Sequence, residues 1–417
     1  MSPAPSVTGT RTLAPDAIIL FVTRIVRLFA YGFLSVILAL YLAELGLSEA
    51  AIGGLFTFTL LGDAGISLWI TTSADRIGRR RMLLLSAFLM IFAGILFALT
   101  AEFVVLVVAA IIGVISPSGN EIGPFLSIEQ AALSEILPDR QRTRVFAWYN
   151  LVGSFATATG ALASGGLVQV LQAVGHTPLE SYRVVVIGYS LVGLVLVLLF
   201  SRLSAHIEAA QKAILPRRLG LHRSRMVVAK LSALFALDAF AGGFIVQSLL
   251  AYWFRVRWGV EPAVLGGVFF GANILAGISA LSAARIADRI GLIKTMVFTH
   301  IPSNILLIFV PLMPSLPLAV AVLLARFSIS QMDVPTRQSY TMAVVAPDER
   351  SAASGVTTIA RSIGAAWSPW LTGALLQTAF ISTPFFLAGG LKIAYDLLIY
   401  RSFRALKPAE EIRESRR

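Results

Sequence analysis

The sequence predicts an all-α integral membrane protein, with twelve transmembrane helices in two pseudo-symmetric six-helix bundles. Three observations predict it. The chain is 57% hydrophobic and only 13% charged, with a mean hydropathy of +0.82, where a soluble domain carries about 25% charge. Water offers no fold that hides so much apolar surface, whereas about 20 apolar residues rising about 1.5 Å each cross a bilayer. The basic residues fall in short loops on one side of the resulting pattern. And the stretch Asp75-Arg76-Ile77-Gly78-Arg79-Arg80-Arg81, between two apolar runs, recurs about 213 positions later as Asp288-Arg289-Ile290-Gly291-Leu292-Ile293-Lys294.

Taken in order, helix 1 is expected at about 18–42, carrying Arg24 and Arg27. Helix 2, at about 52–72, holds Asp63, and helix 3 follows the arginine loop to about residue 100. Helix 4 starts near Val104 and is interrupted by Ser116-Pro117-Ser118-Gly119-Asn120-Glu121-Ile122-Gly123-Pro124 before ending near Ile136. Proline and glycine break a helix because one lacks an N–H and the other has no side chain to restrain its backbone. Helices 5 and 6 span about 145–171 and 184–200. Six further runs lie near 231–254, 265–284, 295–313, 318–345, 352–379 and 383–400. The domains expected are an N-terminal bundle over 1–201, a basic linker over 202–228 and a C-terminal bundle with a basic tail over 229–417.

Loop charge orients this pattern. The 2–3, 4–5, 6–7, 8–9 and 10–11 loops and the tail carry the basic residues, and only Arg183, Arg255 and Arg257 oppose them. Cationic loops resist translocation, so both termini are expected in the cytoplasm. This explains the net charge of +12 without nucleic acid, which is not expected as a partner. No cysteine is present, which excludes disulfides, thiolate metal sites and cysteine nucleophiles. Residues 1–15 lack the pattern of a cleavable signal, so the first helix is expected to direct insertion.

The halves align beyond the acidic turn. Ala30-Tyr31-Gly32-Phe33 matches Ala241-Gly242-Gly243-Phe244, and Ile128-Glu129-Gln130 matches Thr336-Arg337-Gln338. Arg142 matches Arg350, and Gly165 matches Gly373. Six spans, a basic linker and six similar spans imply parallel repeats with a site between them near the midplane.

On these residues the chain resembles the major facilitator superfamily. The family's loop signature is a glycine, three residues, Asp-Arg, any residue, Gly and then basic residues. Asp75, Arg76, Gly78, Arg79 and Arg80 match, while Thr71 stands where the first glycine is usual. The resemblance implies a cavity lined by helices 1, 4, 7 and 10, alternating access by rocking, and a gating role for Asp75, Arg76, Gly78 and Arg79. The second copy, Asp288, Arg289 and Gly291, shares that expectation. Gly153, Gly160, Gly165 and Gly166 follow part of the glycine spacing of the family's drug exporters without its proline, so close helix packing is the plainer reading.

A charge within a span costs roughly 2.5–3.5 kcal/mol, so each one needs a partner or a task. Arg27 and Asp238 lie about 13 and 12 Å into equivalent helices and are read as a structural or gating pair. Asn120, Glu121, Gln331 and Asp333 sit where helices 4 and 10 break, and irregular backbone at that depth must face protein or a wet cavity. They are the candidates for ligand or proton binding, with Asp63 beside them. Arg326 and Arg361, near the midplane, suit an anionic solute. His300 and Asn304 are read as packing.

Together these point to a secondary active transporter of the cytoplasmic (inner) membrane, moving a small organic solute by alternating access. Proton-coupled export by antiport leads. Proton-coupled uptake of an organic anion is the alternative, and a non-transporting scaffold or sensor is the third reading. No nucleotide-binding loop or metal-ligand spacing is present, so neither an enzyme nor a cofactor is expected. The partners expected are the solute, protons and the lipid bilayer, with the chain a monomer.

Overall fold

The computed structural model describes residues 15–120, 124–136, 139–208, 221–346 and 349–404. Sixteen α-helices occupy them. The first half holds α1 (Pro15–Ser35), α2 (Leu38–Glu44), α3 (Glu49–Ile77), α4 (Arg79–Leu99), α5 (Phe103–Ile112), α6 (Phe125–Ile136), α7 (Asp139–Ala173) and α8 (Pro178–Ser201). The second holds α9 (Arg225–Gly243), α10 (Gln247–Trp258), α11 (Pro262–Ile290), α12 (Leu292–Phe309), α13 (Leu316–Phe327), α14 (Asp333–Val344), α15 (Arg350–Leu376) and α16 (Thr383–Phe403). Four pairs continue one another across a break, namely α1–α2, α5–α6, α9–α10 and α13–α14, so the sixteen helices form the twelve expected rods. Eight are long and apolar enough to cross a membrane on length and composition alone.

The most extensive pairings repeat between halves. α1 lies along α7 as α9 lies along α15, and α4 lies along α8 as α12 lies along α16. The halves meet where α3 packs on α15 and α7 on α11. Local chemistry sets the ends. Thr177 and Glu180 form a reciprocal cap with Pro178 in the first turn of α8, each side chain taking an N–H that the helix leaves unpaired.

The arginine stretch differs from expectation. Helix continues through Asp75 and Arg76 to Ile77 and restarts at Arg79, so the loop is one residue, Gly78. Its φ of 115° is one that only glycine adopts without strain. Gly291, at φ 88°, does the same between α11 and α12. Arg, Ile and Leu are adequate helix formers, so each helix runs on until a glycine turns it.

Two tethers hold this end of the bundle. The Glu208 carboxylate accepts the N–H groups of Arg79 at 2.6 Å and Arg80 at 3.3 Å, capping α4. Glu349 accepts N–H groups of His222, of Arg223 at 2.8 Å and of Ser224 at 2.8 Å, just before α9. The Ser224 hydroxyl and these amides hold the Glu349 carboxyl at about 2, below the 4.5 of a free glutamate. A depressed folded value means the stabilisation is complete above about pH 4.5 and is lost as pH falls through about 2. Glu349→Gln is therefore expected to lower the melting midpoint equally at pH 6 and pH 8. The gap should narrow only in acid, as scanning fluorimetry in detergent would read.

At the opposite end the halves are sealed. Gln247 Nε2 donates to Ser35 Oγ at 2.8 Å, and Ser248 Oγ donates to the carbonyls of Ser35 at 2.6 Å and Pro117 at 2.7 Å. Three breaks, those of helices 1, 4 and 7, thus satisfy one another. Tyr252 Oη donates to Glu49 at 2.8 Å, and Thr57 Oγ1 accepts the Trp370 N–H at 3.2 Å. Glycines permit the closeness: a Cβ on Gly53 would lie 2.2 Å from the Pro369 carbonyl oxygen, and one on Gly165 2.4 Å from that of Pro262. Toward the arginine-bearing end, a Cβ on Gly65 of α3 or Gly355 of α15 would meet nothing within 4 Å.

Candidate functional site

Between the two ends, each half buries an ion pair at the same place. In the first half, α1 carries Arg27 and α6 carries Glu129, both without solvent exposure. The Arg27 guanidinium grips Glu129 with two hydrogen bonds of 2.7 Å, the planar fork matching the two carboxylate oxygens. Thr23 Oγ1 donates to the same carboxylate at 3.0 Å, and Tyr149 Oη also donates to it. Phe125 lies against the Arg27 guanidinium, 4.6 Å from its ring centroid. Arg24 Nε donates to the Tyr149 carbonyl at 2.7 Å, and its Nη2 donates to Asn150 Oδ1 at 3.2 Å. This is a neutral pair closed on all sides.

In the second half, α9 carries Asp238 where α1 carries Arg27, and α14 carries Arg337 where α6 carries Glu129. The sign of each position is reversed. Asp238 Oδ2 accepts from Arg337 at 3.0 Å and Arg361 at 2.9 Å, while Oδ1 accepts from Lys392 at 2.6 Å. Arg337 also donates to Asp333, one turn before it on α14, at 2.9 Å. Two carboxylates face three cations, so this cluster carries one surplus positive charge. Four of the five members are almost wholly enclosed. The Arg361 side chain is 33% exposed and is the one that solvent reaches.

The expected Arg27–Asp238 pair is thereby corrected: each is neutralised inside its own half. Inward-pointing helix faces put i and i+4 neighbours and adjacent helices in reach before anything across the central axis. Asp333, a candidate for ligand or proton binding, is buried and shares Arg337 with Asp238. Arg326 closes α13 at the break in helix 10, 8% exposed, against the Phe327 ring at 4.9 Å, and its Nε has no hydrogen-bond partner. Gln331 N–H reaches Ser279 Oγ at 3.2 Å within that break. Asn120 is exposed, and its carbonyl accepts from Ser116 Oγ at 2.8 Å. Ser67 Oγ donates to Asp63 at 3.0 Å. Arg76, Asp288 and Arg289 are exposed on last helical turns, and Arg79 is buried, donating to the Ile207 carbonyl at 3.1 Å. Glu121 lies outside the described residues, as does the Asp75 side chain.

Sequence reasoning passed over Glu129, Arg337 and Lys392 as site residues. The alignment of Glu129 with Arg337 was the signal for two of them. His300 and Asn304 are buried as polar packing around Asp396, at 2.9 and 3.1 Å. Three of the four glycines of α7 pack closely, Gly153 against Arg24, Gly160 against the Phe29 carbonyl of α1 and Gly165 against that of Pro262, whereas a Cβ on Gly166 would meet nothing within 4 Å.

The model of the Major Facilitator Superfamily matches residues 20–369. The uncharacterized membrane protein YJR124C of Saccharomyces cerevisiae is 29% identical over 416 residues, covering 92% of this chain and 93% of that protein. The multidrug efflux protein YfmO of Bacillus subtilis is 25% identical over 381 residues, covering 90% and 89%. Among solved structures, a D-xylose-proton symporter superposes with a TM-score of 0.71 at 16% identity, covering 92% of this chain and 97% of that one. A bacterial homolog to the human lysosomal transporter Spinster, inward-facing and occupied, gives 0.71 at 15% identity, covering 93% and 97%. At these identities the superpositions show the fold.

Proposed function

The chain belongs to the major facilitator superfamily, and from that premise we propose that it is a proton-coupled secondary transporter of a small organic anion, working by alternating access in the cytoplasmic membrane. The surplus positive charge around Asp238 carries this reading. Arg361 uses one donor on Asp238 and has others to offer, and a guanidinium presents five in a planar fork suited to carboxylate or phosphate. Asp333 and Asp238 share Arg337, so a proton on Asp333 leaves that guanidinium paired with Asp238. Protonation then raises the positive charge facing the solute. Proton and anion favour each other's binding, which is the thermodynamic signature of symport.

Export by proton antiport is the second reading, favoured by the likeness to a multidrug efflux protein. The two separate by the sign of linkage. With any solute found by a melting-shift screen, symport requires tighter binding at lower pH and antiport requires weaker binding. Arg361→Gln is expected to weaken an anionic solute at least tenfold, the loss of about 1.4 kcal/mol or more, while the melting midpoint holds. Unchanged affinity in that variant would remove the anion reading. We further propose that the end bearing Gly78 and Gly291 faces the cytoplasm. The structure would then represent the inward-facing state, with residues 202–228 as the joint between two moving bundles and the unit a monomer. Reporter fusions after Arg81 and near Leu47 should give opposite sides, the first cytoplasmic.

A further inference from the structure

A second basic site lies away from the central cluster, at the arginine-bearing end. The first turn of α4 and the segment that follows α8 enclose a groove of about 270 Å³ lined by Arg80, Arg81, Leu84, Ser204, Ala205 and Glu208. Its carboxylate is already spent: Glu208 accepts the Arg79 and Arg80 amides. Asp16, beside it, accepts the Ser204 N–H at 3.0 Å and the Ser204 hydroxyl. Its cations are not. Arg80 is anchored by one Nη2 bond to the Ser201 carbonyl at the end of α8, and its Nε is buried with no hydrogen-bond partner. Arg81 is exposed. A guanidinium carries five N–H donors and Arg80 places one on the Ser201 carbonyl, so the groove offers donors to a group that brings acceptors.

The surroundings indicate what brings them. Arg80 and Arg81 open a helix apolar enough to span a membrane, so the groove sits at the level where headgroups meet hydrocarbon. Residues spaced three or four apart share one helix face, and Arg81 is followed on its face by Leu84, Phe88, Phe92, Ile95 and Leu99. The last four are exposed. On α8, Leu191, Leu194 and Leu198 are exposed as well, and α8 is the neighbour of α4. A cationic groove thus opens onto an apolar track running into the bilayer.

We propose that this groove binds an anionic phospholipid, with the phosphate on Arg80 and Arg81 and an acyl chain along Leu84 and Phe88. Basic pockets between helices at a membrane face are suited to such headgroups. A seated lipid bridges α4, α8 and the start of the linker, which the Glu208 and Arg80 bonds already tie together.

The test uses the purified full chain in phosphatidylcholine nanodiscs, with and without phosphatidylglycerol, read by thermal midpoint and by retained lipid in native mass spectrometry. The wild type is expected to gain several degrees and to retain phosphatidylglycerol. Arg80→Gln/Arg81→Gln should lose both effects while matching the wild-type midpoint in phosphatidylcholine alone. If that double variant does not fold, Arg81→Gln alone should at least halve retention, and Arg80→Lys/Arg81→Lys should keep it. Equal response of wild type and variants to phosphatidylglycerol overturns the proposal, as does no response in the wild type. A shift reproduced by millimolar inorganic phosphate in lipid-free detergent, and not enlarged by phosphatidylglycerol, would assign the groove to free phosphate instead and overturn the lipid.

Discussion

Asp238→Asn is expected to cost the folded protein about 3–5 kcal/mol, the penalty for removing one partner from a buried charge network. Three cations converge on this carboxylate within 3.0 Å, and the amide that replaces it offers no charge. The cluster then holds one acid against three bases in a medium where charge is poorly solvated. The variant should melt far below the wild type and lose transport with it. Adding Lys392→Met restores the original balance, because one cation leaves with one anion, and should recover a substantial part of the midpoint. Scanning fluorimetry on the single and double variants reads both effects. Equal melting of Asp238→Asn and wild type would mean that the network does not hold the second half together. Glu129→Gln is the matched case in the first half, and Arg27→Met added to it should rescue in the same way.

The second large effect concerns the sealed end. A methyl group at Gly53 would stand 2.2 Å from the Pro369 carbonyl oxygen and one at Gly373 2.1 Å from that of Glu49. Backbone lies on both sides, so no rotamer relieves the contact; α3 and α15 must separate. Alanine at either position is therefore expected to disfavour this arrangement relative to any in which that end is open, and to slow transport more than tenfold. A tenfold loss corresponds to about 1.4 kcal/mol between the two states, a modest demand beside overlaps of this size. The chain has no cysteine, so spin labels on cysteines introduced at Val174 and Gln377, both exposed at that end, report it without background. The distance distribution should shift outward in the alanine variants. An unmoved distribution with normal transport would show that this packing does not govern the cycle.

Much of the fold was legible because its causes are local. Runs of apolar residues set the rods, and Pro117, Gly119 and Pro124 announced the break in helix 4. The repeated acid-arginine-isoleucine-glycine stretch located both one-residue joints, although not that helix runs up to each. The breaks in helices 1 and 7 were invisible. No proline marks Ser35–Leu38 or Phe244–Gln247, and it is contact with the other half, through Ser248 on the Ser35 carbonyl, that satisfies the backbone there. The site was legible in its members and not in its pairing. Every buried charge can be read off the sequence, but which acid meets which base depends on how neighbouring helices are rotated. That is why Arg27 was matched with Asp238 when Glu129 and Arg337 were the nearer partners.

The reversed signs at equivalent positions bear on descent. If the halves arose by duplication of one ancestral six-helix unit, both copies began with the same polarity, and one later exchanged it. A lone charge reversal at either member would have set two like charges side by side in a span, a configuration costlier than the lost charge of Asp238→Asn. The exchange must then have passed through a neutral intermediate or through two coordinated changes, so each pair is inherited as a unit. Chimeras that graft α1 onto the second half or α9 onto the first should fail for the same reason, unless α6 or α14 travels with it.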